Sequence, residues 1–211
     1  MTLNIFDAIF ISLYVSIISS IISLILSLVI GFYIAIKKFF FKNMVISIIN
    51  AFTSIPPVCA GLICYLIVSR SGPLGWLGLL YTPSAMIIAQ TIIIMPIMIS
   101  LIIRNIQEEY PLFEEELYAY GANFLNIFSL LLINKYRIYL TIFIIGFGRA
   151  ISEYGAAAIV GGSIDQVTRN MTTSISLETA KGNIGFAIQL GIVLIIISFI
   201  ISIFSNIKFN K

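Results

Sequence analysis

Arg149 and Glu153 lie four residues apart in a long apolar run, among Gly146, Gly148, Ser152 and Gly155. On a helix that spacing puts both side chains on one face, close enough to pair. If the run crosses a bilayer, each charge at mid-depth would cost about 2.5–3.5 kcal/mol on insertion scales, so neither faces lipid. Three chemistries remain open: an ion pair that fixes packing, a gate or wall of a polar pathway, or an anion site at Arg149. Glu153 makes the last a poor site unless its own charge is taken up by Arg149. Gly148, Ser152 and Ala156, also four apart, form a small-residue stripe that another helix can approach closely. Pro56–Pro57 removes two backbone donors from a second apolar run and predicts a break or kink there, either a gate or an architectural bend. A polar segment offers Thr168, Arg169, Thr172, Thr173 and Lys181, which suit contact with an anion, docking of a partner that delivers one, or a solvated loop.

Other chemistry is missing from the sequence. The chain has no histidine, hence neither the commonest general base nor the commonest metal ligand. Cys59 and Cys64 are five apart and fall on different sides of a helix, so a disulfide or metal site is not expected. There is no GxxxxGK[ST] phosphate loop and no GxSxG elbow, so the chain is expected to be non-catalytic. Any ATP hydrolysis must come from another polypeptide. The net charge of +3 is scattered between apolar segments and implies no nucleic-acid partner.

The elements that position these residues are membrane helices. Of 211 residues, 60% are hydrophobic and 10% charged, too few charges to cover a watery surface. Five runs are long enough to span a hydrocarbon core, at about 8–36, 44–69, 83–103, 138–162 and 184–207. They predict an all-α, polytopic membrane bundle forming one domain over residues 1–211. The first run is too long and lacks the basic flank of a signal peptide, so it is expected to stay in the mature chain. Within it Ser12, Ser16, Ser20, Ser23, Ser27 and Gly31 recur at helical spacing, a packing face or the wall of a polar pathway. Lys37, Lys38, Lys42, Arg104, Lys135, Arg137, Lys208 and Lys211 fall on one side, and Arg70, Arg169 and Lys181 on the other. The positive-inside rule then places the N-terminus outside and the C-terminus in the cytoplasm. The inner segment, about 105–136, predicts a pair of short helices broken near Gly121, and Gly182 is suited to end a short helix in the outer segment, about 163–183.

Four stretches carry a family resemblance. Glu114 to Ala122 resembles the "EAA" loop of bacterial ABC-importer permeases, with Glu115 and Gly121 in the glutamate and glycine places. It departs from that pattern at Glu116–Leu117, where paired alanines are usual, and at Ile133–Asn134, where Leu-Pro is usual. Ser54-Ile-Pro-Pro-Val58, with Leu66 to Gly75, looks like the second span and outer loop of tungstate-type permeases. Gly148-Arg-Ala-Ile-Ser-Glu-Tyr-Gly-Ala156 is similar to the fourth-span signature of molybdate and tungstate permeases, and Asp165 to Gly182 looks like the tungstate branch. The resemblance implies a type I ABC-importer permease of the bacterial inner membrane, working as a homodimer with two cytoplasmic ATPases and an external oxyanion-binding protein. It implies ATP and Mg on the ATPase, with coupling through Glu115, Glu116, Gly121 and Ala122. Tungstate is the first expected substrate and molybdate the next. Two rival classes stand beside it. A gradient-driven secondary transporter would need an acid in the membrane, for which Glu153 is the candidate. A non-transport scaffold would need none.

Overall fold

The computed structural model describes residues 5–119 and 121–207, so Lys208 and Lys211 lie outside the described residues. These residues form helices and no strand: α1 Ile5–Ile36, α2 Lys42–Phe52, α3 Pro57–Val68, a single 3-10 turn at Gly75–Leu77, α4 Pro83–Ala119, α5 Phe124–Asn134, α6 Tyr136–Ile151, α7 Gly155–Gly161, α8 Met171–Ala180 and α9 Ile184–Ile207. The all-α expectation holds, but the spans are less simple than five straight runs. Among the described residues, only α1, α4 and α9 are long and apolar enough to cross a membrane unaided. The number reaches five when the bent pairs α2 with α3 and α5 with α6 each count as one span.

One break falls where the prolines predict it, and two boundaries need correction. The second run is broken by a 98° bend between α2 and α3, at the two prolines. The third run continues as helix to Ala119, well past the apolar limit at residue 103. Hydropathy marks where a helix leaves lipid; Arg104, Glu108 and Glu109 are good helix formers and do not end it. The inner helix pair is therefore the tail of α4 followed by α5, not two separate short helices. The fourth run is interrupted at residues 152–154, between α6 and α7.

The packing centre is α1 against α4. The serine face of α1 is buried throughout: Ser12, Ser16, Ser19, Ser20, Ser23 and Ser27 with Gly31. A Cβ on Gly31 would sit 2.8 Å from Ile102 Cγ2, so this glycine sets the approach of the two helices. Three hydroxyls also reach other elements. Ser27 donates to the Met95 carbonyl at 3.2 Å, Ser19 to Gln90 Oε1 at 2.9 Å, and Ser12 accepts from the Met171 N–H at 2.8 Å. In a bilayer, where no apolar driving force separates helix contact from lipid contact, small residues and such bonds hold helices together. The opposite face of α1, with Phe6, Phe10, Val29 and Tyr33, is exposed and apolar, as lipid contact requires.

Two cores flank this contact. One joins α1, α4, α5 and α6 through Phe32, Met98, Ile102, Ile127 and Tyr139, with Phe32 edge-on to Phe128 at 4.6 Å. The other joins α1, α3, α4 and α7 through Val15, Cys64, Met86, Ala89, Ala156 and Val160. The first supports the basic end of the bundle, where Lys38 and Lys135 lie. The second supports the opposite end, where the hydroxyl-rich segment folds back onto Ser12.

Candidate functional site

The two interruptions meet. Pro56 is the N-cap and Pro57 the first residue of α3, where a missing N–H removes nothing a helix would use. The end of α2 closes with tight bonds from Thr53, Ser54 and Ile55 N–H back to Asn50, Ala51 and Phe52 carbonyls. Against this elbow lies the start of α7. A Cβ on Gly155 would sit 2.7 Å from Val58 Cγ2, and one on Gly61 would sit 2.6 Å from Ala156 Cα, so both glycines permit backbone contact. Beside this contact lies a cavity of about 130 Å³, bounded by the elbow, α3, α4 and the end of α6 and lined by Phe52, Thr53, Ile55, Ala60, Ile63, Ile92, Ile93 and Arg149. The elbow that carries Pro56 and Pro57 thus borders, through Thr53 and Ile55, the same cavity as Arg149, though they are about ninety residues apart in sequence.

Arg149 lies in the last turn of α6, and Glu153 falls just past its end, in the break rather than on the same helix. They still pair, Nη1 to Oε2 at 3.2 Å, with the Glu153 side chain 4% exposed and that of Arg149 38%. Glu153 Oε1 also accepts from the Ala156 N–H at 3.4 Å. The backbone of the break is held by two other elements. Gln90 of α4 donates to the Ala150 carbonyl at 3.2 Å, and Thr172 of α8 donates to the Glu153 carbonyl at 2.9 Å. Two carbonyls at the break thereby gain side-chain donors, which hydrocarbon could not supply. Ser152 is exposed and returns its hydroxyl to the Gly148 and Arg149 carbonyls at 3.0 and 3.1 Å. The small-residue stripe is only partly used, for Ala156 packs on Gly61 while a Cβ on Gly148 would meet nothing within 4 Å.

The hydroxyl-rich segment is an internal brace. Thr168 is fully buried, donates to the Gly161 carbonyl and accepts from the Ile164 N–H at 3.0 Å. Asn170 and Thr173 form a capping box that starts α8. Arg169 pairs with Asp165 at 3.1 Å and donates to the Ser163 carbonyl, while Lys181 pairs with Glu178 at 2.8 Å. Gly182, at φ +81°, lets Asn183 N–H return to the Glu178 carbonyl at 2.8 Å, the Schellman ending its position predicts. The Lys181 ammonium, then the Asn183 amide, hold the Glu178 carboxyl below its ordinary value.

The basic end closes a helix in the same way and leaves more exposed. Gly121 has φ +68°, and Ala122 N–H donates to the Leu117 carbonyl at 2.9 Å, ending α4. Glu115 is exposed beside this elbow; the side chain of Glu116 lies outside the described residues. Asn123 then caps α5 by accepting from Asn126 N–H at 2.9 Å. Two ion pairs between elements fasten the tail of α4, Lys38 to Glu114 at 2.8 Å and Lys135 to Glu109.

Sequence reasoning missed Gln90, whose signal was present as an amide alone in the third apolar run. It also missed Tyr81, whose positive φ has no signature in its residue type.

Comparison with known proteins places this arrangement. Residues 27–207 match the family described as binding-protein-dependent transport system inner membrane component. A probable anion ABC transporter permease of Haloferax volcanii is 38% identical over 168 residues, covering 77% of this chain and 72% of that protein. The tungstate uptake system permease TupB of Peptoclostridium acidaminophilum is 38% identical, covering 82% of this chain and 75% of that protein. TupB of Campylobacter jejuni is 35% identical, covering 80% and 71%. With broken spans meeting inside an all-α bundle and a family match over most of its length, the chain belongs to the inner-membrane components of binding-protein-dependent transport systems.

Proposed function

We propose that this chain is the non-catalytic permease subunit of an ATP-driven importer for a small oxyanion, tungstate foremost and molybdate next. The observation that carries the reading is the similarity to tungstate uptake permeases across about four-fifths of the chain. In this reading two copies form the pathway, two partner ATPases bind ATP and Mg at the basic end, and an external protein delivers the anion at the opposite end. The N-terminus lies outside the cytoplasmic membrane and the C-terminus within the cell, supported by the bias of Lys and Arg in the loops.

The geometry gives each proposed role a physical means. The exposed Glu115 and the Gly121–Ala122 elbow offer a docking surface for an ATPase, with Glu116 on the same stretch. The ion pairs from Glu109 and Glu114 carry a displacement of that elbow into the α1–α2 and α5–α6 corners. Pro56, Pro57, Arg149, Ser152 and Glu153 act where two broken spans meet, so a small rotation of either half-helix opens or closes the cavity between them. Glu153, the acid a gradient-driven carrier would use, is engaged by Arg149. Thr168, Arg169, Thr172, Thr173 and Lys181 shape the outer segment rather than hold the anion themselves.

The test is reconstitution of the chain with its ATPase and binding protein in proteoliposomes. ATP-dependent accumulation of tungstate is expected, with none when ADP replaces ATP. Accumulation driven by a proton or sodium gradient without ATP would replace this reading with a secondary carrier.

A further inference from the structure

Beyond the end of α3, on the face that carries the hydroxyl-rich segment, a cavity of about 510 Å³ opens among Tyr65, Ser69, Arg70, Ser71, Gly75 and Tyr81. Its polar side chains are four hydroxyls and one guanidinium, with no carboxylate among the described lining residues. Arg70 differs from the other cations at this end. Arg169 and Lys181 are each held by a carboxylate, whereas no carboxylate lies within ion-pair distance of Arg70 among the described residues.

The repulsive groups of the wall are covered. The last carbonyls of α3 would oppose an anion. Tyr65 O accepts from Ser69 N–H at 2.8 Å, Leu66 O from the Ser69 hydroxyl at 3.3 Å, and Ile67 O from Leu74 N–H at 3.0 Å. Gly72 lets the chain lie across the Leu66 and Ile67 carbonyls, where a Cβ would be 2.1 Å from Leu66 O, and Gly75 lies likewise against those of Ser69 and Arg70. Across the cavity Tyr81 is held at φ +64°, a conformation that costs a non-glycine residue about 1–2 kcal/mol. Its N–H donates to the Val160 carbonyl at 2.9 Å, and its ring lies where a Cβ on Gly162 would meet it at 2.7 Å. The Tyr81 phenol is bonded to Tyr65, and that bond raises it above its ordinary value. The pair therefore keeps one O–H to donate outward.

We propose that this cavity is a receiving site for a tetrahedral oxyanion, with Arg70 supplying the charge, the Tyr65–Tyr81 pair a hydroxyl donor, and Ser71 a second one that exchanges its 3.3 Å bond to Ser69 for the anion. The proposal rests on the importer reading above, and gives the chain a first anion contact separate from the Arg149 junction.

The test uses the full chain in lipid nanodiscs. Trp76, the one tryptophan of the sequence, is 81% exposed in the turn between the cavity residues Gly75 and Gly78, and its fluorescence reports on them. Titration with sodium tungstate, against sodium chloride at equal ionic strength, is expected to give a saturable change that molybdate or sulfate displaces. Arg70→Gln is expected to weaken it at least about tenfold, the scale of a lost charge-assisted bond, and Ser71→Ala by less. Arg104→Gln, at the basic end, should leave it unchanged. Tungsten bound per chain in equilibrium dialysis gives the same comparison without fluorescence. Binding equal in wild type and Arg70→Gln, no binding by dialysis, or binding only when the external protein is present would overturn the proposal. ATP-dependent uptake in the same preparation separates the two readings: uptake without anion binding here removes the receiving site alone, and absence of uptake removes the importer.

Discussion

The two ends of the bundle close a helix with the same Schellman geometry and surround it with opposite polar chemistry. At the hydroxyl-rich end, Gly182 ends α8, and Thr168, Arg169, Thr172, Thr173 and Lys181 all have partners within the chain. At the basic end, Gly121 ends α4 beside the exposed Glu115. A polar side chain already bonded within its own fold has little left to offer a ligand; one held at an exposed elbow has its full hydration to exchange for a partner. The difference fits the proposed support by the outer segment and contact by the inner one, although both looked like candidate contact surfaces from residue type alone.

The strongest way to break this comparison is at Gly121. Gly121→Val forces a β-branched residue into the left-handed region, a strain of at least about 1–2 kcal/mol that the elbow relieves by moving. Tungstate uptake in proteoliposomes is expected to fall at least about tenfold, while the partner ATPase continues to hydrolyse ATP. Normal uptake would remove the elbow from the coupling path. The effect at the junction of broken spans is next. Glu153→Gln leaves Arg149 without its carboxylate and is expected to destabilise the detergent-solubilised chain by about 2 kcal/mol, below the fully buried case because Arg149 is partly exposed. The double variant Arg149→Gln/Glu153→Gln should recover part of that loss in thermal unfolding, and strictly additive losses would mean that the pair does not couple.

Two smaller tests sharpen the reading of the outer segment. Asn170→Ala removes the cap of α8 and should lower its local stability by about 1 kcal/mol, seen as faster amide exchange over 171–180. Under the bracing role, the tungstate concentration giving half-maximal uptake stays unchanged in that variant. The smallest effect is on pH. Glu178 titrates lower in the folded chain than unfolded, so its contribution is complete above the unfolded value near about 4.3 and is lost as pH falls through the folded one. Glu178→Gln should flatten the acid limb of the stability profile in that window; an unchanged limb would show that its bonds to Lys181 and Asn183 contribute nothing.

What was legible in the sequence follows from what the signals report. Apolar run length located the membrane segments because a bilayer demands about twenty apolar residues, and Pro56–Pro57 marked its break because proline's effect is local. Gly121 and Gly182 marked helix ends for the same reason. The break at 152–154 was hidden: Arg149 and Glu153 fit helical spacing, and their pairing survives two residues beyond the helix. The junction of that break with the prolines could not be read, since it depends on Gly61 and Gly155 admitting a backbone from a distant segment. Nor could the saturation of the outer hydroxyls, which needs the partners' positions and not only their types.

The most direct measurement is site-specific cross-linking from single cysteines, placed by Glu115→Cys or Thr172→Cys in a chain whose Cys59 and Cys64 are replaced by serine, within the assembled transporter. The account predicts a cross-link from position 115 to the ATPase subunit and none from position 172. A cross-link to the ATPase from position 172, with none from 115, would contradict both the orientation and the assignment of the two ends.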